Sequence, residues 1–176
     1  MAVHCGLREG ELLGLKWEDV DLEVGTLQVR RTPSDEEFTP PKTAKSRRSV
    51  GLTPTAVEAL KRHSKRQAQE MVRADTLYQD QDLVFTSLVG TPLSRRNLTR
   101  SFKALLKRTG LPHTMRFHDL RHTCATLLLS QNTPSKFVQE LLGHATIAVT
   151  LGTYSHVMPG MADHTVNDGE RSVLAG

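Results

Sequence analysis

Four side chains in the C-terminal part of the sequence carry reactive chemistry in a tight order. His118 and Arg121 stand three apart in His118-Asp119-Leu120-Arg121, His144 follows in Leu142-Gly143-His144, and Tyr154 lies in Thr153-Tyr154-Ser155-His156. Two imidazoles, a guanidinium and a phenol are the groups needed to hold a phosphodiester and attack it without a metal. Such a reaction gathers negative charge on the nonbridging oxygens, so catalysis rests on positioning and on preorganised positive donors. Arginine suits this because its planar fork binds two oxygens at once and keeps its charge. Upstream, Gly6-Leu7-Arg8-Glu9-Gly10-Glu11 supplies a second arginine, Arg8. The basic turn Pro41-Lys42-Thr43-Ala44-Lys45-Ser46-Arg47-Arg48 supplies a lysine, Lys42.

Each group has an expected role. Arg8 and Arg121 clamp the nonbridging oxygens, and His144 donates to one of them. A tyrosine, with a reference pKa of about 10, is a poor nucleophile at neutral pH. Tyr154 therefore needs cationic surroundings and a proton acceptor, for which His118 is the candidate. The leaving oxygen needs a proton, and Lys42 on its turn is suited to give one, with Lys45 three residues along as the competing choice. Glu11, Asp119 and His122 read as supporting or packing residues. A lone His-x-x-Arg is common in ordinary helices. Its pairing with His144, 23 residues beyond Arg121, and with Tyr154, ten beyond His144, makes the set specific. No carboxylates cluster as magnesium would require and no Cys/His spacing suits zinc, so the expectation is no metal and no cofactor.

At 176 residues and 38% apolar composition, the chain can build one buried core without disulfide or metal staples. Cys5 and Cys124 lie in apolar-periodic stretches, as free thiols of a reducing compartment do. There is no 18-residue apolar run, and Arg8, Glu9 and Glu11 interrupt any hydrophobic leader, so a soluble cytoplasmic protein with no membrane partner is expected. The net charge of +4 conceals an uneven distribution. Residues 41–108 hold 15 lysines and arginines against 5 acidic residues, while the rest holds 8 against 14. A block of that sign fits a polyanion such as DNA, because neutralising phosphates releases counterions.

The elements that must position these groups are mostly helical. Glu9 to Trp17 reads as an amphipathic helix with Leu12, Leu13 and Leu15 inward, Val20 to Arg31 as a hairpin through Val24-Gly25-Thr26, and Arg47 to Leu52 as a third strand. Thr32 to Thr43, with three prolines and Asp35-Glu36-Glu37, reads as an exposed loop. Thr53-Pro54 opens a helix to about Ala74, Ser94 caps one ending at Gly110, and Thr133-Pro134 opens one ending at Leu142-Gly143. In the Ser94 helix, Arg96, Arg100, Lys103 and Lys107 fall on one face, opposite Leu98, Phe102 and Leu105. That face is expected to meet DNA, as are Lys45 and Arg47 on the basic turn. From His118 to about Ser130 a helix is expected with Leu120, Cys124, Leu127 and Leu128 buried. His118 and Arg121 then project from the opposite side, with Ala125 leaving room for a ligand. Trp17 reads as core.

In that order, from about Val3 to Val157, these residues resemble the catalytic domain of the tyrosine recombinase (phage integrase) family. The resemblance implies an α+β fold, mostly helical with a small antiparallel β-sheet, over residues 1–157, followed by a tail, 158–176. It implies a catalytic set of Arg8, Lys42, His118, Arg121, His144 and Tyr154, with attack by Tyr154 giving a 3′-phosphotyrosyl link and a free 5′ hydroxyl, then religation to a partner strand without ATP. Double-stranded DNA is the implied partner and a homotetramer on DNA the implied assembly. The helical clamp domain that precedes the catalytic domain in family members is missing ahead of Met1, so the chain reads as N-terminally truncated. Two other readings stand beside this one: a type IB topoisomerase-like enzyme that nicks and closes DNA, and a DNA-binding remnant without useful activity.

Overall fold

The computed structural model describes residues 1–33, 38–39 and 47–157. The chain opens with two short helices, α1 (Ala2–Cys5) and α2 (Glu9–Leu13), joined through Gly6 at φ 58°. Glycine is needed there on two counts. That φ strains any other residue, and a Cβ would lie 2.8 Å from Leu142 Cδ2 and 3.5 Å from Cys124 Sγ. α2 stops ahead of Gly14, so the helix expected to reach Trp17 is shorter; Leu12, Leu13 and Leu15 are buried as anticipated. Trp17 is half-buried in a 3-10 turn and donates from Nε1 to Gln67 Oε1 at 2.8 Å.

The sheet follows the alternation in the sequence. β1 (Val20–Asp21) and β2 (Thr26–Val29) form the expected hairpin, with Val20 opposite Leu27. Two-residue strands β3 (Thr32–Pro33) and β4 (Phe38–Thr39) pair where a loop was expected; backbone pairing of this kind needs no hydrophobic pattern. β5 (Arg48–Gly51) pairs antiparallel with β2, placing Leu27 opposite Val50 and Val29 opposite Arg48, so the sheet order is β1-β2-β5. Leu27, Val29 and Val50 turn inward by the two-residue period of a strand.

Helices supply the rest. α3 (Pro54–Ala74) starts where Thr53 Oγ1 accepts from the Ala56 N–H, and α4 (Arg95–Thr109) where Ser94 Oγ accepts from Asn97, each at 3.2 Å. α5 (Asp119–Ser130), α6 (Ser135–Leu142) and α7 (Ile147–Tyr154) complete the described chain. Thr133 does not cap α6. Its N–H bonds back to Leu128 O at 3.0 Å, closing α5 through Asn132 at φ 60°, and α6 begins only after Pro134.

Apolar side chains gather in two clusters. Leu7, Leu12, Leu27, Val50, Leu60 and Val84 join α2, the sheet and α3, while Ala125, Leu129, Val138, Leu142 and Tyr154 join α5, α6 and α7. The buried stripe of α5 is therefore rotated from the expected one: Arg121, Cys124, Ala125 and Leu129 are buried, and Leu127 is half exposed. The cause is tertiary, since α1, α6 and α7 all pack on α5. Ala125 thus underlies Tyr154 rather than leaving open space. No described helix is long and apolar enough to cross a membrane.

Candidate active site

The last carbonyls of a helix have no partner within it and carry the negative end of its dipole. At the end of α6, three successive carbonyls each accept from a different arginine. Leu141 O accepts from Arg48 Nε at 2.6 Å, Leu142 O from Arg121 Nη2 at 2.5 Å and Gly143 O from Arg8 Nη2 at 3.2 Å. Arg121 Nη1 also donates to Gly6 O at 2.5 Å, so one buried guanidinium ties the loop before Arg8 to the turn before His144. Those bonds engage two of the five N–H donors of Arg121. Burial, then Arg8, pushes the Arg121 pKa down to about 10, so it stays charged at neutral pH.

One carboxylate organises this cationic cluster. Glu11 Oε1 accepts from Arg8 Nη1 at 2.8 Å and Arg48 Nη1 at 2.9 Å; Oε2 accepts from the Arg8 N–H at 2.8 Å and Arg48 Nη2 at 2.9 Å. Burial by itself would raise the Glu11 pKa, but the Arg48 hydrogen bonds and charge, helped by Arg8, carry it down to about 2. Three guanidiniums thus share one buried negative charge, and the Arg8 side chain is 40% exposed. The surplus is positive and reaches the surface at Arg8.

Tyr154, at the end of α7, is 3% exposed. Its hydroxyl meets His122 Nδ1 at 2.7 Å. The sequence-based assignment of that contact to His118 is corrected by one helical turn. His118 precedes the first residue of α5, is exposed, and stands edge-on to His122 with ring centroids 4.8 Å apart. Nor do His118 and Arg121 project together, since Arg121 is buried. Burial raises the Tyr154 pKa, with Arg121 pulling it the other way.

His144 follows Gly143, which is left-handed at φ 63°. Its Nδ1 lies 2.9 Å from Oγ1 of the fully buried Thr150, and its carbonyl accepts from Gln139 Nε2 at 2.9 Å. Burial, then Arg121, Arg8 and Arg48, lowers the His144 pKa to about 4, which makes the ring neutral at pH 7. The Thr150 hydroxyl has no other acceptor among the described residues, so its O–H donates to Nδ1 and leaves the ring proton on Nε2. His144 is thereby set as a donor.

Sequence comparison bears directly on this arrangement. The phage integrase family profile matches residues 1–160. The chain belongs to the phage integrase family. A curated relative, the tyrosine recombinase XerC-like protein of Caldanaerobacter subterraneus subsp. tengcongensis, is 38% identical over 96% of this chain and 48% of its own length. The chain spans about half the length of that relative. Among solved structures, the Tn1549 transposon integrase in complex with transposon right end DNA superposes with TM-score 0.76 at 24% identity, over 99% of this chain and 57% of that one. XerH site-specific recombinase bound to palindromic difH substrate, a post-cleavage complex, superposes with TM-score 0.66 at 26% identity, over 96% and 44%. The α+β fold, mostly helical with a small antiparallel sheet, is the one this integrase family chain shares with them.

Within this integrase-family site, Arg8, Arg121 and His144 converge on the end of α6, while Tyr154 packs in the cluster that holds Leu142 and turns its hydroxyl to His122. Lys42 and Lys45 lie outside the described residues. Arg47 is exposed and lines a cleft of about 640 Å³ with Arg30, Arg31 and Arg48. On α4, Arg96, Arg100 and Lys107 are exposed, but Lys103 turns back to donate to the carbonyls of His113 and Met115. Lys103 therefore serves the 112–115 turn and drops out of the expected DNA face. Phe102 and Leu106 are the buried residues of the opposite face, and Leu105 is exposed.

Three residues at the site were missed or undervalued in the sequence. Arg48 shares its strand face with the core residue Val50, and that two-residue period marks it as inward. Thr150 shares its helix face with Tyr154, four residues on. His122 sits beside Arg121 and was read as packing.

Proposed function

We propose that this chain is the catalytic domain of a site-specific tyrosine recombinase that breaks and rejoins double-stranded DNA. Arg8 and Arg121 bind the nonbridging oxygens of the scissile phosphate, and His144 donates from Nε2 to one of them. Tyr154 Oη attacks phosphorus, the bond to the 5′ oxygen breaks, and a lysine of the basic turn, Lys42 in the first instance, protonates the leaving oxygen. The phosphodiester becomes a 3′-phosphotyrosyl ester, so bond energy is conserved and the 5′ hydroxyl of a partner strand can reverse the step. The reading extends to domain layout: residues 1–157 carry the chemistry, and residues 158–176 form a tail. It extends to a homotetramer on DNA, with Arg96, Arg100, Lys107, Lys45 and Arg47 on phosphates.

The observation that carries the proposal is the gathering of Arg8, Arg121 and His144 at one helix end, with Glu11 the one fully buried carboxylate among the described residues there against three guanidiniums. A surplus of fixed donors is what a dianionic transition state needs. XerH, bound to its difH substrate after cleavage, lends support from a related chain. The test is a nicked suicide substrate run on a denaturing gel with EDTA present. A protein–DNA band is expected for the wild type and none for Tyr154→Phe, with DNA affinity nearly unchanged. A band that persists in Tyr154→Phe, or one that requires added magnesium, overturns the proposal.

A further inference from the structure

We infer that His122 is the catalytic base that takes the phenolic proton of Tyr154. The inference rests on the recombinase reading and adds a residue to its chemistry. Four observations carry it. Nδ1 of His122 lies 2.7 Å from the Tyr154 hydroxyl, within reach for direct proton transfer. Among the described residues it is the hydroxyl's one hydrogen-bond partner. Tyr154 is 3% exposed, so the group already in contact with its hydroxyl is the one placed to take the proton. Finally, the pair is held by two helices rather than loops: α5 carries His122, α7 carries Tyr154, and Ala125 and Leu129 pack them together. A base on rigid elements is aligned before the substrate arrives.

The step balances without an added reactant. In the neutral ring Nε2 carries the hydrogen and Nδ1 its lone pair. As the Oη–P bond forms, the phenolic proton moves to Nδ1, the P–O5′ bond breaks, and the 5′ oxygen takes a proton from the general acid. The imidazolium stores the proton through the covalent stage. When a 5′ hydroxyl attacks in religation, that proton returns to the tyrosine oxygen as it leaves. The groups facing His122 are Tyr154 from α7, His144 from the turn before it, and His118 and Asp119 from its own helix.

His122→Asn is the decisive variant, because an asparagine Oδ1 can accept the tyrosine hydrogen bond but cannot take the proton. Single-turnover adduct formation by the full chain on the suicide substrate is expected to fall by roughly 10²- to 10⁴-fold at pH 7, with binding and the thermal melt kept. The deficit shrinks as pH rises toward the phenol's own ionisation. A rate within threefold of wild type, or a loss that is the same at every pH, overturns the assignment. His122→Ala gives an independent check: added imidazole restores the adduct where sodium chloride of equal ionic strength does not, and absence of rescue counts against the base. A wild type that forms no adduct at all removes the recombinase reading instead, so the two failures are distinguishable.

Discussion

Glu11→Gln tests whether one buried carboxylate holds the arginine cluster together. The four hydrogen bonds to Glu11 come from Arg8 and Arg48, two on each oxygen. Whichever way a glutamine amide is turned, its NH₂ faces two donors, and the buried guanidiniums lose their counter-charge. The magnitude follows from the titration of the native group. Its pKa drops from an ordinary 4.5 to about 2, which at about 1.36 kcal/mol per pH unit corresponds to about 3 kcal/mol. That agrees with the roughly 3–5 kcal/mol typical of removing one partner from a buried ion pair. The sign is fixed by the direction of the shift. Between about pH 4.5 and 2 the unfolded chain binds more protons at this position than the folded one, so the stabilisation is complete above about 4.5 and is lost as pH falls toward 2. Urea denaturation of wild type and Glu11→Gln at pH 7, 4.5 and 3 is the assay. The expected gap is about 3 kcal/mol at pH 7 and narrows steadily below pH 4.5. A gap under about 1 kcal/mol at pH 7, or one that ignores pH, would refute the reasoning.

Replacing Arg96, Arg100 and Lys107 together by alanine should weaken DNA binding and flatten its salt dependence by up to about 0.9 log unit for each phosphate no longer neutralised; fluorescence anisotropy across a salt series measures this, and an unchanged slope assigns that face to solvent. Lys103→Ala, by contrast, should leave the slope alone and lower the melting temperature, because it frees the His113 and Met115 carbonyls. Thr150→Val removes the hydroxyl that keeps the His144 proton on Nε2, and should slow cleavage by roughly 10- to 100-fold, short of the roughly 10²- to 10³-fold expected for deleting a transition-state donor outright. Thr150→Ser should restore the rate, and a wild-type rate in Thr150→Val removes the tautomer argument. Lys42→Ala should slow cleavage strongly on normal DNA yet recover on a substrate with sulfur in place of the 5′-bridging oxygen, since a thiolate leaves without a proton. If only Lys45→Ala shows that recovery, the general acid lies three residues along.

Local rules made much of the fold legible. The caps Thr53 and Ser94 fix the starts of α3 and α4 because a short side-chain oxygen satisfies an N–H that the helix itself cannot, and alternation across Leu27, Val29 and Val50 fixes the sheet. Where tertiary packing competes with a local signal, the sequence misleads. Thr133 looks like a cap for α6, yet its backbone is spent on ending α5. The stripe of α5 reads from its spacing as Leu120, Cys124, Leu127 and Leu128, whereas packing by α1, α6 and α7 buries Arg121, Cys124, Ala125 and Leu129. The site divides in the same way. The types and order of Arg8, Arg121, His144 and Tyr154 pointed to one centre from sequence, because phosphoryl chemistry needs those groups. Which imidazole meets the phenol was not legible. His118 and His122 are one helical turn apart, and only the packing of α7 on α5 selects the second. Arg48 hid behind its sign: a charged residue on a short strand reads as exposed until the carbonyl of Leu141 and the carboxylate of Glu11 are seen against it.

One covalent bond decides the mechanism. Digestion of the trapped protein–DNA adduct with trypsin and nuclease, followed by tandem mass spectrometry, identifies the residue that carries the nucleotide. The expected product is a single modified peptide containing Tyr154, bearing the DNA through a 3′-phosphate. A nucleotide on Tyr78, on a serine, or on no residue despite cleaved DNA would contradict the mechanism.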